Sequence, residues 1–287
     1  MSAKLIDVAL LKKFDDAIGI YINDSAMIDT DKTAIIALLT NYLSRMKDIN
    51  FLLQNKRANS ANVLMRVAFE TYVYLKYIFE KYNRMSTRAN AYYYHNFQKL
   101  SDMLNHIDQT NISTSKDMID DINNHPRALG HYQNLNDYFN DKRERFRTCF
   151  NINNKSLNFT KLSTNDTFHS CPIDQWKWYN DNGKTSSFLK LVIRLGLLDE
   201  YAALYSPTSN NIHSDSLQNQ LKMSPHSLTI FESYDPNMLV CFRASIIEFL
   251  PILKKITVDN DKKRQIERLY NSACFIYRTN YGHNKQQ

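Results

Sequence analysis

Glycine and proline are scarce in this chain, which has five Gly and six Pro among 287 residues, against about 7% and about 5% in an average protein. Sheet-rich folds use glycine in tight hairpin turns, and doubly wound folds use it in phosphate-binding loops. With 43% hydrophobic and 23% charged residues, the shortage predicts an all-α fold, a bundle of about seven to nine helices. No G-x-G-x-x-G, P-loop or G-x-S-x-G pattern occurs, which excludes the enzyme classes that depend on these loops.

Metal-binding and secretory signals are also lacking. The four cysteines are far apart, with no C-x-x-C pair and no histidine at zinc-finger spacing, which predicts incidental thiols in a reducing compartment. No cofactor is predicted, and a metal site would need ligands from distant positions. The apolar stretch 63–79 is interrupted by three charged residues, so we expect a soluble, cytoplasmic protein with no membrane partner.

The net charge of +7 permits an anionic partner. Much of the excess lies in three short clusters, at 142–147, 254–255 and 262–264. Acidic residues are interleaved with the basic ones, which is more typical of a solvated helix face than of a nucleic-acid footprint. The charge alone therefore does not identify a partner.

Apolar residues recur every three or four positions over most of the chain, the spacing of amphipathic helices. The pattern predicts one helical domain over residues 1–287. It stops between 149 and 184, where Asn, Ser, Thr and Asp predominate around Trp176 and Trp178. We interpret 149–184 as an irregular insertion, in which the tryptophans either anchor it to the helices or stack on a partner.

A helix near residues 60–82 is apolar or aromatic at nearly every position from 63 onward and on all sides, yet Arg66 and Glu70 stand four residues apart in its middle. That spacing places both on one face, which Tyr74 and Tyr77 continue. An apolar helix of this kind is normally buried centrally, and buried charges must be paired. Two interpretations stay open: the pair satisfies a core, or it lines a polar cleft. Arg66 is the buried cation that the sequence predicts for binding an anion.

A second polar cluster spans residues 205–213, where the helical pattern predicted from 187 to 204 breaks at Ser206-Pro207. It places Tyr205, Ser209 and Asn210 close to His213. Histidine is the only side chain whose unperturbed pKa lies near neutrality, which makes His213 the natural proton carrier.

Together, Arg66-Val-Ala-Phe-Glu70 and Tyr205-x-x-x-Ser209-x-x-x-His213 resemble a group of uncharacterised all-α bacterial proteins with an early R-x-x-x-E helix and a late Y-x-x-x-S-x-x-x-H segment. That group is distantly similar to the HEPN helical domains, which include metal-independent ribonucleases of toxin–antitoxin and phage-defence systems. In those ribonucleases, an R-x(4–6)-H motif meets its copy across a dimer interface.

The resemblance implies a cytoplasmic protein that acts on RNA or nucleotides, as a homodimer or with a partner protein. No Arg precedes His213 at the motif's spacing, and Arg127-Ala-Leu-Gly-His131 is one residue too short. We therefore expect Arg66 to supply the cation and Glu70 to orient it.

Beyond that pair, we expect His213 to transfer the proton, and Tyr74 or Tyr205 to donate a hydrogen bond. Ser209 is counted with the catalytic group, while Asn210, Arg127 and His131 are candidates for substrate binding. Two alternatives remain open: a non-catalytic interaction or sensor subunit of a multigene defence system, and a binder of a small anionic ligand.

Overall fold

The fold is described here from a computed structural model. The described residues are 5–24, 29–95, 120, 132–153, 177–204, 221–224, 227–230, 234 and 236–281. The helices in chain order are α1 Val8–Ile22, α2 Thr30–Gln54, α3 Ala58–Phe79, a 3₁₀ turn Tyr82–Arg84, α4 85–95, α5 Leu135–Asn153, α6 Phe188–Arg194, α7 198–204, α8 Pro236–Ile256 and α9 Asn260–Tyr281.

Helices predominate in the described chain, and the predicted all-α class is confirmed. One short antiparallel hairpin interrupts it, in which β1 Leu221–Ser224 pairs with β2 Ser227–Ile230. The hairpin was not predicted, because four-residue strands give too little alternation to distinguish them from a loop.

The chain separates into two compact units. The first comprises Met1–Ile28, Ile35–Phe79 and Val192–Gln287, and the second Asp29–Ala34 and Glu80–Leu191. The single domain over 1–287 stays a prediction.

The start of the first unit shows how local chemistry fixes an element. The side chain of Asp7 caps α1 by accepting a hydrogen bond of 2.7 Å from the backbone N–H of Ala9, one of the amides that a helix leaves without an internal partner. The hydroxyl of Tyr281, at the end of α9, accepts from the Asp7 amide at 2.9 Å and donates to the Leu5 carbonyl at 2.9 Å. The first and last described elements are thereby joined.

The central helix of the first unit is α8 rather than α3. The ring of Phe249 on α8 packs against Phe14, Tyr42, Tyr72 and Phe79, with ring centroids between 5.7 and 6.3 Å apart. α8 is also long and apolar enough to cross a membrane. Half of its most apolar stretch is buried inside the protein, and one helix of this kind is weak evidence of a membrane span.

Glycine divides one predicted helix into two. The apolar pattern predicts a continuous helix from 187 to 204, but α6 ends before Gly196, whose φ is +68°. The Leu197 N–H donates to the Val192 carbonyl at 3.0 Å, and the Gly196 N–H donates to that of Ile193 at 3.1 Å. This is a Schellman termination, which needs a left-handed residue that glycine adopts without strain.

The second unit contains α4, α5 and residues 177–191. α5 runs to Asn153, so residues 149–153 of the predicted insertion are helical, and 154–176 lie outside the described residues. The last part of the predicted insertion, 177–184, is irregular. Trp178 is buried and meets the ring of Tyr92 edge-on, with centroids 5.0 Å apart. Trp178 therefore anchors this segment to α4, while Trp176 lies outside the described residues.

Candidate functional site

Three of the nine predicted site residues lie in the described chain: Arg66, Glu70 and Tyr74, all on α3. The six others lie outside the described residues; they are Tyr205, Ser209, Asn210, His213, Arg127 and His131. Whether His213 meets the α3 residues stays a prediction.

Arg66 and Glu70 form an ion pair on the outward face of α3. The Arg66 Nε lies 3.7 Å from the Glu70 Oε1, and the side chains are 32% and 37% exposed. The prediction that Arg66 is buried is therefore wrong. A solvent-accessible i,i+4 pair stabilises a helix by only about 0.3–0.5 kcal/mol, so holding the core together does not account for it.

The reason for the error lies in the apolar residues around the pair. Val63 and Val67, on the same outward face, are exposed, although an apolar helix surface normally indicates burial. Met65, Ala68 and Phe69 face the interior and are fully buried. α3 is thus a half-buried helix whose exposed face carries valines and an ion pair together.

The predicted stripe of Arg66, Glu70, Tyr74 and Tyr77 becomes more buried toward the C-terminal end of α3. Tyr74 is half-buried, and Tyr77 is fully buried. The guanidinium of Arg194, on α6, lies 5.2 Å from the centroid of the Tyr77 ring, within cation–π range. Arg194 thus brings a second guanidinium to α3, which sequence analysis missed because the contact joins residues more than a hundred positions apart.

Three polar side chains, Tyr72, Lys76 and Glu248, join α3 to α8. The Tyr72 hydroxyl donates to the Glu248 Oε2 at 3.1 Å and accepts from the Lys76 Nζ at 3.1 Å. Lys76 also pairs with Glu248 at 3.3 Å. Burial, aided by the nearby Cys241 and Glu248, raises the pKa of Tyr72 well above its ordinary value. The phenol therefore stays protonated near neutrality and cannot act as a base there. The three side chains link α3 to α8.

The thiols of Cys149 and Cys241 are poor nucleophiles. Burial raises the pKa of Cys149 to about 11, and burial together with the charge of Glu200 raises that of Cys241 to about 12. Both are therefore protonated thiols near neutral pH.

The most deeply buried cation among the described residues is Arg88, in the second unit. It is 0% exposed, and its Nε and Nη2 donate to the Asp181 Oδ2 at 3.0 and 2.8 Å. The Nη2 also lies 2.8 Å from a carboxylate oxygen of Glu80, and Arg84 reaches Asp181 at 3.6 Å. Two carboxylates already neutralise Arg88, so it holds the unit together and is not available to bind an anion.

No predicted residue lines the groove that the described residues form between α1 and α9. Its volume is about 650 Å³, and its polar lining includes Asp15, Asp16, Asn23 and Lys262. Within the described ranges, no three His, Cys, Asp or Glu side chains are grouped so that they could hold a metal ion.

Comparison with known proteins identifies one family. The sequence profile of a family of unknown function, DUF5677, matches residues 32–226. That range contains Arg66, Glu70 and the segment of His213, and it leaves out α1, α8 and α9. No curated protein and no solved structure matches the chain.

Proposed function

The chain belongs to the DUF5677 family of unknown function, and from that premise we propose that it is a HEPN-like protein that acts on RNA or nucleotides. In this proposal it is a soluble, cytoplasmic, metal-independent endoribonuclease of a bacterial toxin or phage-defence system. The resemblance in the α3 and His213 segments motivates it.

The reaction needs a proton carrier and a cation. When a ribose 2′-OH attacks the adjacent phosphate, its proton must be accepted, the leaving oxygen must be protonated, and a cation must stabilise the charge that develops on phosphate. Arg66 is the cation, because a guanidinium binds phosphate oxygens with two hydrogen bonds. Glu70 orients Arg66, and His213 transfers the proton.

The observation that carries this proposal is the exposure of the Arg66–Glu70 pair. Its charges are open to solvent on an outward face, so a phosphate can reach Arg66 without unfolding the helix. The pair contributes little stability, whereas the guanidiniums that the described residues bury are those of Arg88 and Arg243. A role at a site therefore explains Arg66 better than a role in the core.

Cleavage of RNA by the purified protein tests the proposal. We expect wild type to cleave tRNA or total RNA in the presence of EDTA. Arg66→Ala should lower the rate by at least about a hundredfold, the usual size of a lost charge-stabilising contact, and His213→Ala should do the same. Arg57→Ala, at an exposed arginine just before α3, is the matched control and should leave the rate unchanged.

Equal cleavage by all four proteins would identify a contaminant nuclease, and the catalytic proposal would then be abandoned. If the wild type cleaved RNA without EDTA but not with EDTA, metal independence would be contradicted. Circular dichroism of each variant establishes that a lost rate is not a lost fold.

The exposed Val63 and Val67 beside the pair favour a second candidate, a non-catalytic interaction or sensor subunit. Protein-binding surfaces combine exposed apolar side chains with polar and charged ones, as this face of α3 does. In this case no RNA is cleaved under any condition, and Val67→Asp dissociates a homodimer or partner complex that sedimentation detects in the wild type.

A further inference from the structure

The outward face of α9 combines positive charge with an exposed aromatic ring. Phe275 is 71% exposed, which is unusual for a side chain of its size. Arg268 lies seven residues before it and Arg278 three residues after it, and both are exposed. Spacings of three and seven place all three side chains on one side of the helix. Arg268 and Phe275 are two turns apart, about 10 Å along the axis.

The opposite side of α9 fixes the helix in place. Ile266 and Ala273 are fully buried, and Tyr281 bonds to the backbone at Asp7 and Leu5. Since α9 is held on its inner side, its outward face is a rigid surface.

The charge of the protein is concentrated in this region. Residues 254–281 carry seven Lys and Arg against three Asp and Glu, a net charge of +4 of the +7 of the whole chain. Part of it is used internally, because Arg264 pairs with Asp261 and Lys254 pairs with Glu267 at 2.7 Å. Arg268 and Arg278 make no ion pair among the described residues, and they flank Phe275.

We propose that this face of α9, defined by Arg268, Phe275 and Arg278, binds single-stranded RNA. The arginines contact phosphates and Phe275 stacks on an unpaired base, the combination that single-strand binding surfaces use. The surface lies outside the range 32–226 that the family profile matches. In this proposal α9 therefore adds an RNA-binding surface to the segment that the chain shares with its family.

Charge complementarity selects this partner over others. A single strand supplies phosphates and flat base faces at every nucleotide, so one chain can satisfy both the arginines and Phe275. A membrane-surface helix needs a broad apolar face, and Phe275 is the single large apolar side chain that α9 exposes strongly. A duplex conceals its base faces, so we expect it to bind more weakly than a single strand.

The inference rests on the proposed action on RNA, and binding is therefore measured apart from cleavage. The probe is a fluorescent 15-nucleotide single strand carrying 2′-O-methyl groups, which has no 2′-OH to attack and cannot be cleaved by this chemistry. Anisotropy titrations give the Kd of each variant at several salt concentrations.

Phe275→Ala should weaken binding by at least about fivefold, since stacking is worth about 1–3 kcal/mol per base. The matched control is Phe51→Ala, at a phenylalanine of the same unit that is 64% exposed on α2, and it should change the Kd by less than about twofold. The double variant Arg268→Ala/Arg278→Ala should reduce the slope of log K against log salt by about 1.4, or about 0.7 per lost phosphate contact. Arg57→Ala should leave the slope unchanged.

Three results would overturn the proposal. One is an equal Kd for Phe275→Ala and Phe51→Ala, which would mean that only charge attracts the strand. The others are equal affinity for a duplex of the same length, and stronger binding to anionic phospholipid vesicles than to the single strand. If the protein cleaves RNA but fails these tests, only the proposed RNA-binding surface of α9 is contradicted. If it binds RNA as described but cleaves none, only the catalytic proposal is contradicted.

Discussion

Two arginines define the chemistry at the scale of single residues. Arg66 and Arg88 each have a carboxylate partner, but Arg66 stays in contact with water and Arg88 does not. Burial decides what each pairing is worth. Removing the partner of a buried charge leaves it without compensation in a medium of low polarity, whereas water replaces the partner of an exposed one.

Asp181→Asn should therefore lower the free energy of unfolding by about 3 kcal/mol, because Arg88 then keeps only Glu80. Urea denaturation followed by the fluorescence of Trp178, which is buried in the same unit, measures this. Glu70→Gln is the control and should cost less than about 1 kcal/mol. A large loss from Glu70→Gln would show that the α3 pair is structural, and Arg66 would then be a poor candidate for a phosphate ligand.

At the scale of elements, two glycines allow the effect of backbone conformation on stability to be measured apart from side-chain packing. A Cβ at Gly196 or at Gly19 would meet no atom within 4 Å, so space does not limit either substitution. Gly196 has a φ of +68°, which an L-residue adopts at a cost of about 1–2 kcal/mol. Gly19 lies inside α1, where alanine is better than glycine by about 0.8–1.0 kcal/mol.

Gly196→Ala should consequently lower the melting temperature, and Gly19→Ala should raise it, each by a few degrees. Differential scanning calorimetry of the two variants beside wild type measures the signs. A melting temperature of Gly196→Ala equal to or above that of wild type would mean that the left-handed backbone at residue 196 does not require glycine.

Sequence periodicity predicted that these helices exist, because 3.6-residue spacing is a local property. It also predicted the pairing of Arg66 with Glu70, which depends only on positions four apart. It could not predict which helix is central. α3 and α8 are both strongly apolar, and only their contacts with α1 and α2 place α8 inside. The Arg88–Asp181 pair was missed for the same reason, since 93 residues separate its partners.

At the scale of the whole molecule, the family segment and the folding unit do not coincide. The profile match covers 32–226, but Phe249 and Ser245 of α8, beyond that range, complete the core that Tyr42 and Tyr72 enter. The Tyr42 hydroxyl lies 2.7 Å from that of Ser245, and burial raises the pKa of Tyr42 well above its ordinary value. The buried sides of α2 and α3 therefore need α8, and α8 itself packs against α1 and α9.

A truncated chain of residues 32–226 should accordingly fail to fold cooperatively, although it keeps every predicted site residue. Without α1, α8 and α9 it exposes the apolar faces of α2 and α3, each buried large side chain being worth about 1.5–3 kcal/mol. We expect ANS binding and a broad melting transition by circular dichroism, against a sharp transition and little ANS binding for the full chain. Adding a peptide of residues 234–281, which supplies α8 and α9, should reduce the ANS signal, whereas a peptide of residues 5–24 alone should not. A sharp transition of the truncated chain would mean that the family segment folds by itself, and α8 would then be an accessory helix rather than the centre of the core.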